Sequence, residues 1–382
     1  MCASSIGAPR VYSREARQAT RVLSHGSLQV RSSSSQLVWP QNTPTDLITA
    51  GVACGDTVYL LTTPRLSMIQ AFALRRPRFL RAIGNSTTPA SSLHDALGLA
   101  ADCVRNILYV VQSTHPVLSF SIPDGKYLRS YSKPAAFVPA PGGHVRLSED
   151  GAELYVSGLW SDEPFGYMKR PRSSMYEKVG WGWRLSLRDD TSRPLFVPFE
   201  MGCIAPQAVC LRPLFDRLQG PTPGGWIVAA PGSQHVAVYG KSGSIGTTIT
   251  VSSSEFRRDG SAIASGDPLE REINWGQTNS VLSHVYAFGD AIAVVHLRQP
   301  ATDWKRGRVV QFLAYLNLMR TDGILDLTDY PLPGVPIGKD GDSILLLDYG
   351  LEGRRADYRD VRLVRLTIGG DAKPRAAPRG GR

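Results

Sequence analysis

The sequence predicts an all-β chain: a six-bladed β-propeller of four-stranded antiparallel blades, its ring closed by an N-terminal strand that completes the last blade. Three observations lead there. Short strand-like runs separated by turn residues recur along the 382 residues, with almost no sustained helical period. They recur in groups of about four within roughly 35 residues or more, the size of a propeller blade. The last group runs out of chain before its fourth strand, while the start of the chain holds a strand with no group of its own.

The second group is the clearest. Gly98–Asp102 is a short apolar run, Asn106–Gln112 follows a turn, Val117–Ile122 follows Pro116, and a tight turn at Asp124-Gly125 leads into Lys126–Tyr131. The first group repeats the phrase with Ala50–Cys54, Thr57–Leu61, Met68–Phe72 and Phe79–Ile83. The third reads His144–Ser148, a Glu149-Asp-Gly151 turn, Glu153–Ser157, Trp183–Leu187 and Leu195–Val197. The fourth reads Ala208–Leu211, Trp226–Ala230, His235–Tyr239 and Thr247–Val251. The fifth reads Val281–Phe288, Ala291–Leu297, Val309–Leu316 and Ile324–Leu327; the sixth has a weak strand near Val335, then Ser343–Leu347 and Val361–Leu366.

After Gly369 the residues are mostly Gly, Ala, Pro and Arg, a poor composition for a strand, whereas Ser27–Arg31 is a strand without a blade. Pairing that early segment onto blade six beside Val364 removes two exposed sheet edges at once. The expected organisation is an N-terminal extension (1–26), one propeller domain (27–369) and a flexible basic tail (370–382). Within the domain, residues 27–35 form the closing strand and the blades span about 47–84, 96–132, 143–199, 206–252, 279–330 and 334–369. Two separate β-sandwich domains are the competing arrangement.

Through Gly98-Leu-Ala-Ala-Asp102, Leu108-Tyr-Val110, Val117-Leu-Ser-Phe120 and Asp124-Gly125, the second blade resembles an NHL-type repeat. The chain as a whole is similar to six-bladed propellers of the NHL-repeat or TolB-like type. Blades one and three match the motif in part and blades four to six only by strand pattern, so the resemblance implies a fold more than an activity.

Composition is that of a globular protein, 42% hydrophobic and 20% charged. The formal charge is +10, and only eight of the 43 basic residues are Lys. The Arg residues are scattered through strands and turns, with no basic stripe on a known module, which argues against specific nucleic-acid binding. No apolar run approaches the roughly 18 residues of a membrane helix. The five cysteines make no CxxC pair, which argues against a thiolate zinc site. Cys203 and Cys210 flank one predicted strand, and Cys54 and Cys103 lie near the ends of equivalent strands in adjacent blades. Two disulfides or four buried thiols both fit this arrangement. Met-Cys-Ala-Ser-Ser at the start resembles a mature bacterial lipoprotein terminus, so a lipid anchor at Cys2 and an extracytoplasmic location, periplasm or cell surface, are expected. A plain cytoplasmic N-terminus is the other reading.

In such a ring the first strand of each blade lines the channel, and loops from second to third strand share one face with the interblade connections. The longest insertions, Leu159–Gly182, Arg298–Arg308, Tyr349–Arg359 and the interblade Ser252–Trp275, fall on that face; Pro213–Gly225 falls on the other. Binding residues favour loops on a rigid scaffold. The blade-three insertion mixes Trp160, Tyr167, Tyr176 and Trp181 with Arg170 and Arg172, residue types that anchor interfaces. The same aromatics would equally serve to cover the channel mouth by packing on neighbouring blades. His94 and Asp95, His144, Gln207, and Asn279 with His284 stand at the blade entrances, and Lys339 is the sixth blade's counterpart. A His beside a carboxylate suits a general base, although each of these residues alone suits a strand end equally well.

Six-bladed calcium-dependent lactonases hold their ion on the axis. Here Asp95, Gln207 and Asn279, with Glu200 as a fourth, supply few oxygens against the six to eight calcium wants. A transition-metal site from His94, His144 and His284 has only blade spacing behind it. There is no GxSxG elbow, no Walker loop and no HExxH. The sequence therefore points to a monomeric, non-catalytic propeller without cofactor, recognising a protein or carbohydrate through the long-loop face. A hydrolase or lyase with calcium or another divalent metal on the axis is the alternative.

Overall fold

A computed structural model of the chain describes residues 28–40, 47–63, 67–84, 92–134, 137–139, 145–160, 180–195, 214–218, 225–240, 245–258, 279–298, 313–349 and 361–370. These residues form six antiparallel sheets and no helix, the six-bladed propeller expected. Blade one is β2 (Leu47–Cys54), β3 (Thr57–Thr63), β4 (Met68–Ala73) and β5 (Phe79–Ile83), after the leading strand β1 (Leu28–Gln36). Blade two is β6 (Ala96–Asp102), β7 (Ile107–Gln112), β8 (Val117–Ser121) and β9 (Tyr127–Tyr131). Gly125, at φ 71°, occupies the left-handed position that its Asp-Gly turn needs.

Blade three departs from the expected pattern. Its innermost position is split between β10 (Phe137–Pro139) and β11 (Val145–Leu147), which both pair with β12 (Glu153–Trp160). The residues between them, 140–144, lie outside the described residues. The third strand, β13, spans Gly180–Ser186, and the fourth, β14, spans Thr191–Leu195, starting before the expected Leu195–Val197 because the turn through Asp190 is tight.

Blade four is β15 (Leu214–Arg217), β16 (Trp226–Ala229), β17 (His235–Tyr239) and β18 (Ile245–Thr250). Its first strand is Leu214–Arg217, inside the segment assigned to a loop from sequence. Leu214-Phe-Asp-Arg217 pairs in register with Trp226–Ala229, and residues 219–224 between them lie outside the described residues. The expected strand Ala208–Leu211 and both Cys203 and Cys210 lie outside the described residues.

Blade five is β19 (Ser280–Phe288), β20 (Ala291–Arg298), β21 (Leu313–Arg320) and β22 (Leu325–Pro331). Its third strand runs about four residues later than predicted, because the turn that ends it is Thr321–Gly323, with Gly323 at φ 88°. Blade six is β23 (Val335–Asp340), β24 (Ser343–Asp348) and β25 (Arg362–Gly370), with β1 as its outermost strand.

The closing pair is long and regular. Leu28 to Gln36 run opposite Gly370 to Arg362 without a bulge, with Ser34 facing Val364. Val30 is buried in the core between blades five and six. Past β1 the chain crosses to blade one: Leu37 N–H donates to the Val361 carbonyl at 2.9 Å, and Val38 N–H donates to that of Pro77 at 2.7 Å.

Each blade buries both faces against its neighbours, so the middle strands are nearly continuous apolar runs, as in Ala291–Val295 and Ile344–Leu347. A separate cluster of buried side chains fills each of the six interblade spaces. Blades two and three enclose Trp183, Tyr109 and Leu154; blades six and one enclose Phe72, Leu60 and Leu345. Polar side chains are also buried within this stack, among them Thr62, Gln70, His296 and Asn317. The fully buried His296 ring stacks on Tyr315, meets Phe256 edge-on, and bonds through Nδ1 to Asn317 Nδ2 at 3.1 Å.

The tightest approach around the axis is between β2 and β23. A Cβ on Gly338 would lie 1.8 Å from the Gly51 carbonyl oxygen, and one on Gly51 would lie 2.6 Å from Ile337 Cδ1. Gly338→Ala is expected to lower unfolding free energy by about 2–3 kcal/mol, in the range of overpacking strain. Gly369→Ala, where nothing lies within 4 Å of the added methyl, serves as the near-neutral control. Chemical denaturation followed by circular dichroism measures both.

Candidate functional site: the axial cavity

The innermost strands leave a cavity of about 490 Å³ on the propeller axis. Its wall runs from mid-strand positions such as Ala50, Leu99 and His284 to the first-to-second-strand turns at Gly55, Val104, Glu149 and Gly341. The cavity therefore opens on the face of the short hairpins, at the far end of the channel from the long insertions. Small residues make the room, among them Ala50, Gly51, Ala53, Ala100 and Ala101.

Four blades meet at its wall, a few residues from the first-to-second-strand turns, through one buried charged cluster. In β11, Val145 packs between blades two and three, and Arg146, next in the alternation, points toward blade four. In β15, Phe215 turns toward blade three, while Asp216, 3% exposed, occupies the axial end. Arg146 Nε donates to Asp216 Oδ1 at 2.7 Å, and the Ala287 N–H of β19 donates to Oδ2 at 2.9 Å. Lys339 Nζ of β23 sits 3.5 Å from the same Oδ2 and donates to the Ala287 carbonyl. Aromatic rings flank both cations: Arg146 lies 5.7 Å from the Tyr286 ring centroid, and Lys339 lies 4.8 Å from that of Phe288.

Burial opposes ionisation of Asp216, but Arg146, then Lys339 and the Ala287 amide, outweigh it and hold the carboxyl below its ordinary value. Burial pushes the Lys339 ammonium below the ordinary lysine value, against the pull of Asp216. Burial likewise raises the Tyr286 phenol.

The rim pairs its charges locally. Asp102 receives the Val104 and Arg105 amides and binds the Arg105 guanidinium at 2.7 Å; Arg105 also reaches the Asp150 carbonyl of blade three at 2.8 Å. Asp340 pairs with Arg365 at 2.7 Å. Cys54 and Cys103 form a disulfide across blades one and two at this rim, with Cα atoms 5.5 Å apart, within the ordinary span.

The residues singled out from sequence are divided between the two ends. His284 lines the cavity, with Nδ1 3.1 Å from Ser283 Oγ and its ring stacked on Tyr286 at 5.6 Å. His94 and Asp95 stand at the opposite end, just before β6. There the His94 ring packs on His115 at 4.6 Å, and Asp95 binds His115 Nδ1 at 3.0 Å and Thr114 Oγ1 at 2.7 Å. Burial opposes the Asp95 charge, yet the Thr114 and His115 contacts hold its carboxyl below the ordinary value. Asn279 is buried immediately before β19. Trp160 and Trp181 lie in β12 and β13, with only their backbones described. Tyr167, Arg170, Arg172, Tyr176, His144 and Gln207 lie outside the described residues. Among the described residues, no three His, Cys, Asp or Glu side chains converge as a metal site would require, and no helix is long and apolar enough to cross a membrane.

Sequence reasoning missed Arg146, Asp216 and Tyr286. A signal was present: Val145-Arg-Leu147 and Leu214-Phe-Asp-Arg217 each place a charge in a short apolar inner strand, where a charge needs a partner.

Fold and cavity together define a six-bladed propeller with a charged axial pocket. No protein-family model matches the chain, and no curated protein does. Solved structures resemble it over most of its length. One is a Bacteroides fragilis protein whose name reads "Putative exported protein", at 13% identity and TM-score 0.55, covering 94% of this chain and 98% of that one. Another is a member of the DUF4221 family from Bacteroides vulgatus, at 11% identity and TM-score 0.59, covering 93% and 100%. At such identities the likeness shows the fold alone.

Asp216→Asn is expected to cost about 3 kcal/mol at neutral pH, because it strands two buried cations. The folded-state pKa of Asp216 is lowered, so its contribution is complete above the ordinary carboxylate range and lost as pH falls through the folded value. Urea denaturation at a series of pH values should show this acid-side loss in the native protein and a flatter limb in the variant.

Proposed function

We propose that this chain is a non-catalytic binding propeller, working outside the cytoplasm, that seats a small ligand in its axial cavity. The observation that carries the reading is the cavity itself, about 490 Å³ on the axis with polar groups from several blades converging on its wall. Inner-strand edges supply further donors and acceptors, since the channel-facing side of each first strand has no ladder partner.

Two observations support an extracytoplasmic site of action. The Cys54–Cys103 disulfide suits an oxidising compartment, and a similar propeller from Bacteroides fragilis carries an exported-protein name.

A second surface is favoured by one specific feature. Trp160 pairs with Gly180 at the end of the β12–β13 hairpin, so the aromatic-basic insertion between them leaves from a rigid two-stranded base. That base suits recognition of a protein or carbohydrate on the long-loop face. Deletion of residues 163–178 is expected to keep the fold, leave cavity binding unchanged, and abolish any such macromolecular contact, as surface plasmon resonance would read.

For the cavity, purified protein incubated with small-molecule fractions from its native growth medium is passed through gel filtration and examined by native mass spectrometry. One molecule per chain, released chemically unchanged, is the expected result. A molecule released in altered form makes the chain an enzyme, and the absence of any retained molecule removes the cavity reading. Non-reducing peptide mapping of protein from the native host should link the Cys54 and Cys103 peptides; free thiols at both would argue for the cytoplasm. Replacing both by Ser is expected to lower stability by up to about 4 kcal/mol, the chain-entropy limit for a loop of this size.

A further inference from the structure

One part of the cavity wall carries two cations around a carboxylate. Arg146 and Lys339 both line the space and both reach Asp216, whose Oδ2 also receives the Ala287 amide. Nearer the turns, Asp102 and Asp340 each have an Arg partner of their own, Arg105 and Arg365, and Glu149 also lines the wall. Among the described lining residues, Arg146 and Lys339 are gathered around Asp216.

We infer, on the reading that the cavity binds a ligand, that this ligand is a small organic oxyanion, carrying a carboxylate or phosphate group that docks against Lys339 and Arg146. Three physical points support the assignment. Lys339 has three donor protons; the contacts to Asp216 and the Ala287 carbonyl use two, and the residue lines the cavity. The site is partly dry: the Lys339 and Arg146 side chains are 15% and 21% exposed, so an oxyanion there meets less screening than at the surface. The small side chains of β2 and β6 leave space above the cations, and the cavity's volume suits a metabolite-sized molecule better than a polymer. Burial holds the Lys339 ammonium below its ordinary pKa, a strain that an arriving negative charge relieves.

The test is isothermal titration of the full chain, in low-salt buffer, with citrate, succinate and inorganic phosphate. Binding of one probe at one per chain is expected, and which probe binds distinguishes carboxylate from phosphate recognition. Lys339→Met should weaken that binding about 10- to 100-fold, the worth of one charged hydrogen bond, while Lys339→Arg should stay within a few-fold of native. In native protein the bound probe should also slow acetylation of Lys339 relative to the seven other lysines, read by peptide mass spectrometry. That measurement stands even where Lys339→Met does not fold. The inference is overturned if no probe binds, or if the probe that binds leaves Lys339 acetylation unchanged, or if folded Lys339→Met binds as native does. A neutral molecule retained through gel filtration by a protein that ignores all three anions would overturn the anion assignment and leave the binding reading standing.

Discussion

The ring stands on the pairing of Leu28–Gln36 with Arg362–Gly370. Each blade buries both of its faces, so no interblade core is complete unless the ring is closed. The space between blades six and one, filled by Phe72, Leu60, Leu345 and Leu347, exists only because the two ends of the domain are brought together. β1 gives blade six its outer strand, and Leu37 and Val38 carry the connection on to blade one. The blade six–blade one seam is then drawn so close that only glycine fits at Gly338 against Gly51. Closure in turn holds the inner strands in the circle that places Arg146, Asp216 and Lys339, 123 residues apart at the extremes of one ion pair, around a single point.

The axial charged cluster has a cost, because burying three charges is less favourable than apolar packing would be. The cost is offset by reciprocal contacts: Asp216 accepts from two different blades besides answering Lys339, and aromatic faces border both cations. It ties blades three to six together, beside the apolar core that Tyr155 and Phe215 form between blades three and four. A cluster that both joins blades and lines a cavity links ring integrity to whatever occupies that cavity.

The fold was legible in the sequence because it rests on strand periodicity and on a surplus strand that matches a deficit, both local properties of the text. Ser27–Arg31 could be assigned a partner without any knowledge of its neighbours. Errors arose where local signals mislead. Pro213 and the Gly/Pro run after Leu218 made Leu214–Arg217 look like loop, and that hid Asp216. The site was less legible, since it is assembled from single residues on four blades, and spacing along the chain says nothing about which inward positions converge. His284 was found because His is rare here; Arg146 was passed over among 35 arginines. Lys339 was noticed only as a blade entrance, whereas its alternation in β23 turns it toward blade five.

The Cys54–Cys103 bond has a bearing on the order in which the molecule is made. Both sulfurs belong to the first 103 residues, on consecutive blades, and the loop they close is only 49 residues in sequence. The cross-link can therefore be in place while blades four to six are still emerging from a ribosome or translocon. A covalently fixed pair of blades offers a ready template on which the third blade stacks through Trp183, and so onward around the circle. The last event, the return of the segment around Val30 to a partner more than three hundred positions away, is then a docking onto a nearly finished surface rather than a search by a loose chain.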